Sequence, residues 1–118
     1  MNKDLKHIDL SYLNEISNGS NELIQDLIGL FFNQIPEYQS SLENNYNNKD
    51  WYNLGRTAHK AKSAILMVGM KDLANDLKKL EENAKEGKNI NEYQEIIAKF
   101  VRESDIAIKE LKEIKNKI

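Results

Sequence analysis

The chain has 118 residues, no cysteine, 40% hydrophobic and 31% charged residues, and a formal net charge of -2. That length suits one domain with a single core, and the lack of thiols excludes a disulfide framework, a cysteine nucleophile and a zinc–thiolate site. The mild acidity, with a pI near 5.7, gives no support to nucleic-acid or anionic-membrane binding.

No apolar run is long enough to span a bilayer, and the opening Met-Asn-Lys-Asp-Leu-Lys-His has no apolar h-region. The expectation is a soluble, intracellular, one-domain protein. Strand-like alternation is nearly absent, so the chain reads as helices separated by short polar breaks.

A short first segment, about 9–17, carries Leu10, Leu13 and Ile16 and ends at Asn18-Gly19. Asn18-Gly19-Ser20 fits a glycosylation sequon, but it reads better as a turn leading into a cap. Ser20 caps the next helix, about 20–46, because its hydroxyl can accept an orphan backbone N–H. That helix sets Ile24, Leu27, Ile28, Phe31, Ile35, Tyr38 and Leu42 on one stripe, with Phe32 at its edge. Pro36 falls inside it and should bend it.

Asp50 caps a third helix, about 50–68, with Leu54, Ala58, Ala61, Ile65 and Val68 as its stripe. Trp51 and Tyr52 read as helix-end packing. Gly69 permits a turn into a fourth helix, about 71–86, carrying Leu73, Leu77, Leu80 and Ala84 and stopping at Gly87. Asn89-Ile90-Asn91-Glu92 has the spacing of a capping box. It opens the last helix, about 90–117, where Tyr93, Ile97, Phe100, Ser104, Ile108, Leu111 and Ile118 share a face. The fold class is all-α: an antiparallel up-down four-helix bundle with a short additional N-terminal helix.

His59 is the residue with chemistry to offer. Rotating the third helix by about 100° per residue puts His59 roughly 120° or more from the centre of the core stripe. Gly55, Arg56, Lys62 and Ser63 lie one turn away, and Leu66 two turns along. Gly55 leaves room for an approaching protein. Arg56 and Lys62 can neutralise an anion bound to the ring. Ser63 can donate a hydrogen bond, and Leu66 offers apolar contact. Nearby cations, including Lys60, disfavour a protonated imidazole, and a neutral ring nitrogen is a competent nucleophile. The plainer alternative is an ordinary surface histidine among solvated lysines. His7 has no such setting, and the carboxylates near either histidine are too generic to mark a metal site. Glu81 and Glu82 read as solvated surface on a Lys/Glu-rich helix.

The run Ala58-His59-Lys60-Ala61-Lys62-Ser63-Ala64-Ile65-Leu66-Met67-Val68-Gly69-Met70 resembles the signature of histidine-containing phosphotransfer (HPt) domains. Ala58, His59, Lys62 and Gly69 match it, and Leu73 and the Leu80-Glu81 pair follow at the expected places. Upstream, Leu13, Gly19, Phe31 to Pro36 and Leu42 are similar to the family's second helix. The likeness covers nearly the whole chain, residues 1–118, as one HPt-like domain. Ser63 departs from the pattern, standing where most members have glycine.

The resemblance implies a phosphorelay intermediate. His59 would take a phosphoryl group on its distal ring nitrogen from a receiver-domain aspartyl phosphate and pass it to another receiver. Lys62 would hold the phosphoryl oxygens, with Lys60 and Arg56 in weaker support. Gly55, Ser63 and Leu66 would meet the partner, together with the short first helix. Partners would be response-regulator receivers, and a hybrid sensor histidine kinase where one supplies the donor. No cofactor is implied in this chain, since the magnesium ion would sit in the receiver. The sequence has no phosphate-cradling G-x-x-x-x-G-K-[ST] loop, so the domain would not load itself from ATP. The alternative function is a helical interaction module that keeps the bundle without transfer, to which only Ser63 points. A dimerising structural bundle would need an exposed apolar stripe, which the sequence does not suggest.

Overall fold

The computed structural model describes residues 8–117, the side chain of Lys117 excepted, so His7 and Ile118 lie outside the described residues. The helices are α1 (Ser11–Ser17), α2 (Asn21–Asn47), α3 (Trp51–Met67), α4 (Lys71–Glu86) and α5 (Tyr93–Lys117). The architecture is the expected antiparallel bundle with a short leading helix. α3 packs on α2 and α4, and α5 closes the square against the same two helices. α3 and α5 therefore stand on opposite corners. The bundle measures 43 × 22 × 20 Å, and its long axis matches the roughly 40 Å that α2 spans at 1.5 Å per residue.

The caps act as the side chains suggest. Ser20 accepts the Leu23 N–H at 3.3 Å, and Asp50 accepts the Asn53 N–H at 3.2 Å. α2 continues across Pro36, where the absent N–H leaves the Phe32 carbonyl without its intrahelical donor. The last helix differs from expectation at its start. Asn89 adopts left-handed backbone and makes no cap to the following turn, so Ile90–Glu92 form a 3-10 turn. The Asn89 amide instead donates to Asn83 Oδ1 at 3.3 Å, which ties the turn to α4.

One core runs the length of the bundle. Phe31, Ile35 and Leu42 of α2 meet Leu54, Ala61 and Ile65 of α3, Leu73, Leu77 and Leu80 of α4, and Tyr93, Phe100 and Leu111 of α5. Ser104 is fully buried there, and its hydroxyl accepts from the Gln39 amide at 2.8 Å. Of the three apolar residues expected in the first segment only Leu13 is buried, joined one turn on by Ser17, while Leu10, just ahead of α1, is half-buried and Ile16 is exposed. Leu23 and Leu30, seven residues apart on α2 and outside its apolar stripe, stay exposed.

The turn between α3 and α4 also places α1. Gly69 has φ +77°, and its N–H bonds to the Leu66 carbonyl while the Met70 N–H reaches the Ile65 carbonyl. That pairing is the Schellman closure of a helix end. The Asp9 N–H donates to the Val68 carbonyl at 2.8 Å. A Cβ on Gly69 would collide with the Asp9 carbonyl and side chain. The glycine therefore makes the turn and also lets the N-terminal segment lie across it, which holds α1, packed on α2, across a hollow from α3.

Candidate functional site

The site is built on α3. Its buried residues Leu54, Ala58, Ala61 and Ile65 fix the helix in rotation, and His59 emerges on the outer side with 59% of its side chain exposed. The small residues Ala58, Ala61 and Ala64 keep α3 close to its neighbours, so a side chain from α4 can reach the histidine.

That side chain is Glu81. Leu77, Leu80 and Ala84 bury the inner face of α4, which leaves Glu81 at the α3–α4 groove with only 13% of its side chain exposed. Its Oε2 lies 3.0 Å from His59 Nδ1, and its Oε1 accepts from Lys62 Nζ at 3.3 Å. Lys85 Nζ stands 3.9 Å from the same Oε2. Burial pushes the Glu81 carboxyl up, but the hydrogen bond and charge of Lys62, with those of His59, outweigh it and hold the group below the usual carboxylate range.

An ionised carboxylate can only accept, so Nδ1 must be the donor in this pair. In a neutral ring the proton is then on Nδ1, and the lone pair is on Nε2, the nitrogen farther from the backbone. The carboxylate also fixes the ring's orientation. The arrangement supplies a nucleophilic nitrogen at the surface with an anion behind it, able to offset positive charge that forms on the ring.

The other predicted residues fall in different places. Lys62 is tied to Glu81 and largely covered, with 20% of its side chain exposed. Arg56 and Lys60 are exposed beside His59 and line a hollow of about 880 Å³ between α3 and α4. The Arg56 guanidinium lies over the Tyr52 ring, 5.8 Å from its centroid. On the other side, Ser63 and the exposed Leu66 line a hollow of about 700 Å³ shared with Tyr12 and Ile16 of α1. Ser63 Oγ turns back toward the His59 carbonyl at 3.4 Å, so its hydroxyl hugs its own helix.

Gly55 is a correction. It is buried, and a Cβ there would meet the Glu81 carbonyl at 3.4 Å and Ala84 Cβ at 3.5 Å. Its small size suits the close crossing of α3 and α4, and what it offers the surface is only the floor of the hollow between them. Glu81 is the second correction, because it is no solvated surface residue. The usable signal was the Leu80-Glu81 pair at the family's spacing. Helix periodicity alone could not place it, since the contact spans 22 positions of sequence.

Among the described residues, no group of three or more histidine, aspartate or glutamate side chains could hold a metal ion, and no helix is long and apolar enough to cross a membrane. A family model described as the Hpt domain matches residues 26–116. The solved histidine-containing phosphotransfer protein B from Pseudomonas aeruginosa PAO1 superposes with a TM-score of 0.86 and 24% identity, over 97% of this chain and 98% of that one. That likeness concerns the fold. No curated protein sequence matches the chain.

Proposed function

We infer the mechanism from a settled premise: the chain belongs to the Hpt domain family, whose role is histidine phosphotransfer in phosphorelays with response-regulator receiver domains. His59 is the phosphoryl carrier. Its Nε2 lone pair attacks the phosphorus of a receiver aspartyl phosphate. The P–N bond forms as the P–O bond to the aspartate breaks, and the carboxylate leaves with the bonding pair. The proton stays on Nδ1, so the phosphorylated ring carries a positive charge that Glu81 balances. Attack by a second receiver's aspartate on the phosphohistidine reverses these changes and returns the ring to neutral.

The Glu81 carboxylate 3.0 Å from Nδ1 of an exposed His59 carries this reading, because it selects the nucleophilic nitrogen and the outward direction. Lys62 shares that carboxylate at rest, and on transfer its ammonium would turn to hold the phosphoryl oxygens. Arg56 and Lys60 add positive charge at longer range. The receiver supplies the magnesium ion that the transfer needs, and this chain binds no cofactor of its own. Docking spans α1 and α3, with Tyr12, Ile16 and Leu66 as its apolar part and Ser63 between them. The chain acts as a cytoplasmic monomer, loaded by a hybrid sensor kinase's receiver or by a free one.

The test is incubation with a phosphorylated receiver domain. Wild type acquires an acid-labile label, and His59→Gln does not. An unlabelled wild-type chain across a panel of receivers would leave only the non-transferring interaction module.

A further inference from the structure

Charge is segregated along this chain. α2 carries Glu22, Asp26, Glu37 and Glu43 with no lysine or arginine, and the only charged residue of α1 is Glu15. The α3 segment reverses this. From Trp51 to Met70 there are Arg56, Lys60 and Lys62 and no aspartate or glutamate. On α4, Lys71, Lys78 and Lys85 recur every seven residues, which keeps them along one edge of the helix. Glu81, one turn from Lys78 and from Lys85, reaches α3, so this edge is the one beside the histidine. Lys71 and Lys85 line the two hollows that flank α3.

α4 carries anions too, but Asp76 pairs with Lys99 of α5, on which Asp72 also acts, and Glu86 pairs with Lys88. Glu81 is engaged by His59 and Lys62. Glu82 lies within the row, one turn from Lys78 and from Lys85, and Asp9 and Glu15 stand across the first hollow, where the charge of Lys71 helps hold the Asp9 carboxyl low after its bonds from Ser11. Arg56, Lys60, Lys71 and Lys78 form no ion pair among the described residues. A chain of formal net charge -2 thus presents a cationic side at its reactive histidine and an acidic side on α2.

We propose that this charge segregation selects and orients the partner: a receiver domain with an acidic rim around its phosphorylated aspartate. The proposal rests on the carrier function above and adds the partner's surface chemistry and approach. The α3–α4 cations attract the rim while the α2 carboxylates repel it, so the aspartyl phosphate arrives facing His59. Such steering raises association rates by roughly tenfold to a thousandfold and fades as salt screens it. It acts on encounter more than on affinity.

The experiment measures the initial rate of label transfer to the full chain. The donors are a phosphorylated acidic-rim receiver and the same receiver with its rim carboxylates converted to amides. Ionic strength is varied from about 0.01 M to about 0.15 M, over which the Debye length falls from about 30 to about 8 Å. Lys71→Glu with Lys78→Glu reverses the edge away from the reacting ring. Lys109→Glu with Lys112→Glu makes the same net change on α5, at the opposite corner. Phosphoramidate, a small donor that needs no docking, checks His59 itself.

The expected result is a fall of about tenfold for the α4 variant at low salt, shrinking at high salt and absent with the amide-rim donor. The α5 variant stays near wild type, and phosphoramidate labels all of them equally. Transfer that ignores salt and rim charge, or falls equally in the α5 variant, overturns the proposal while leaving the carrier function intact. Low-salt self-association, with α2 of one copy on α3 of another, would assign the cationic side to a second copy and overturn it as well. Labelling by phosphoramidate but by no phosphorylated receiver overturns receiver transfer, and this proposal with it.

Discussion

Replacing Glu81 by alanine separates a positioned histidine from a merely exposed one. The carboxylate holds two partners, His59 Nδ1 at 3.0 Å and Lys62 Nζ at 3.3 Å. A hydrogen bond involving a charged group contributes about 1.5–3 kcal/mol. The ring is 59% exposed, so water screens its share, and about 1–2 kcal/mol of ring positioning is lost in the variant. At about 1.4 kcal/mol per tenfold, transfer slows by roughly 5–30-fold. The loss comes from an ill-defined tautomer and orientation, so Glu81→Gln, whose amide oxygen still accepts from Nδ1, recovers part of the rate. Lys62, more covered than the ring, loses its anion, and global stability falls by about 1 kcal/mol. The pH dependence has a definite sign. Glu81 titrates lower in the folded chain than its ordinary value of 4.5, so its stabilisation is full above that value and is lost as pH falls through the folded pKa. The variant should therefore show a shallower loss of stability in acid. Transfer kinetics, ring-nitrogen NMR shifts and denaturant titrations at several pH values measure the three effects. Wild-type transfer rates with unmoved ring-nitrogen shifts in Glu81→Ala would refute the positioning role.

Three further outcomes follow from single contacts. Gly69→Ala places a methyl group against Asp9 at φ +77°, so stability drops by at least the roughly 1 kcal/mol of a left-handed L-residue, and transfer drops further as α1 is displaced. Unchanged transfer in a folded Gly69→Ala chain would show that α1 takes no part in docking. Tyr93→Phe removes the hydroxyl that donates to the Lys88 carbonyl at 2.6 Å, costing about 1 kcal/mol in thermal or denaturant unfolding. Burial raises the Tyr93 phenol above its ordinary value of 10.0, so its stabilisation is full below that pH and is lost as pH rises through the folded pKa, a loss the variant lacks. Ser63→Gly costs about 0.5 kcal/mol of helix propensity and leaves transfer near wild type, because the hydroxyl folds back on the His59 carbonyl. A tenfold gain in rate, about 1.4 kcal/mol, would instead mark the serine as an obstacle to the receiver.

The helices were legible because each buries one face, and a 3.6-residue period writes that face into the chain. Ile24, Ile28, Phe31, Ile35 and Leu42 form such a stripe and are all buried. Exposure of His59 was legible for the same reason, since a position opposite the stripe has nowhere to go but solvent. Where two helices meet is not periodic. Gly55 lies almost in line with His59 on the α3 wheel, yet α4 covers one and leaves the other open. That difference depends on which side α4 packs, which no single helix encodes. Glu81 escaped for the matching reason. On α4 alone it is one charge among lysines and glutamates, and only the crossing at Gly55 brings it against the imidazole.

The two corrections are therefore one fact about this site. A residue no larger than alanine lets α4 approach α3 one turn from the histidine, with the Glu81 carbonyl 3.4 Å from where a Cβ would stand, an ordinary contact distance. The same approach carries the Glu81 carboxylate to Nδ1 at 3.0 Å. A larger residue at Gly55 would push α4 away and loosen that hydrogen bond without touching any reacting atom. Gly55→Val should then resemble Glu81→Ala in ring-nitrogen shifts and in transfer rate, while Gly55→Ala, whose methyl group makes ordinary contact, stays close to wild type. A Gly55→Val chain that folds, keeps wild-type ring shifts and still transfers slowly would return Gly55 to the docking surface where its place on the helix wheel first put it.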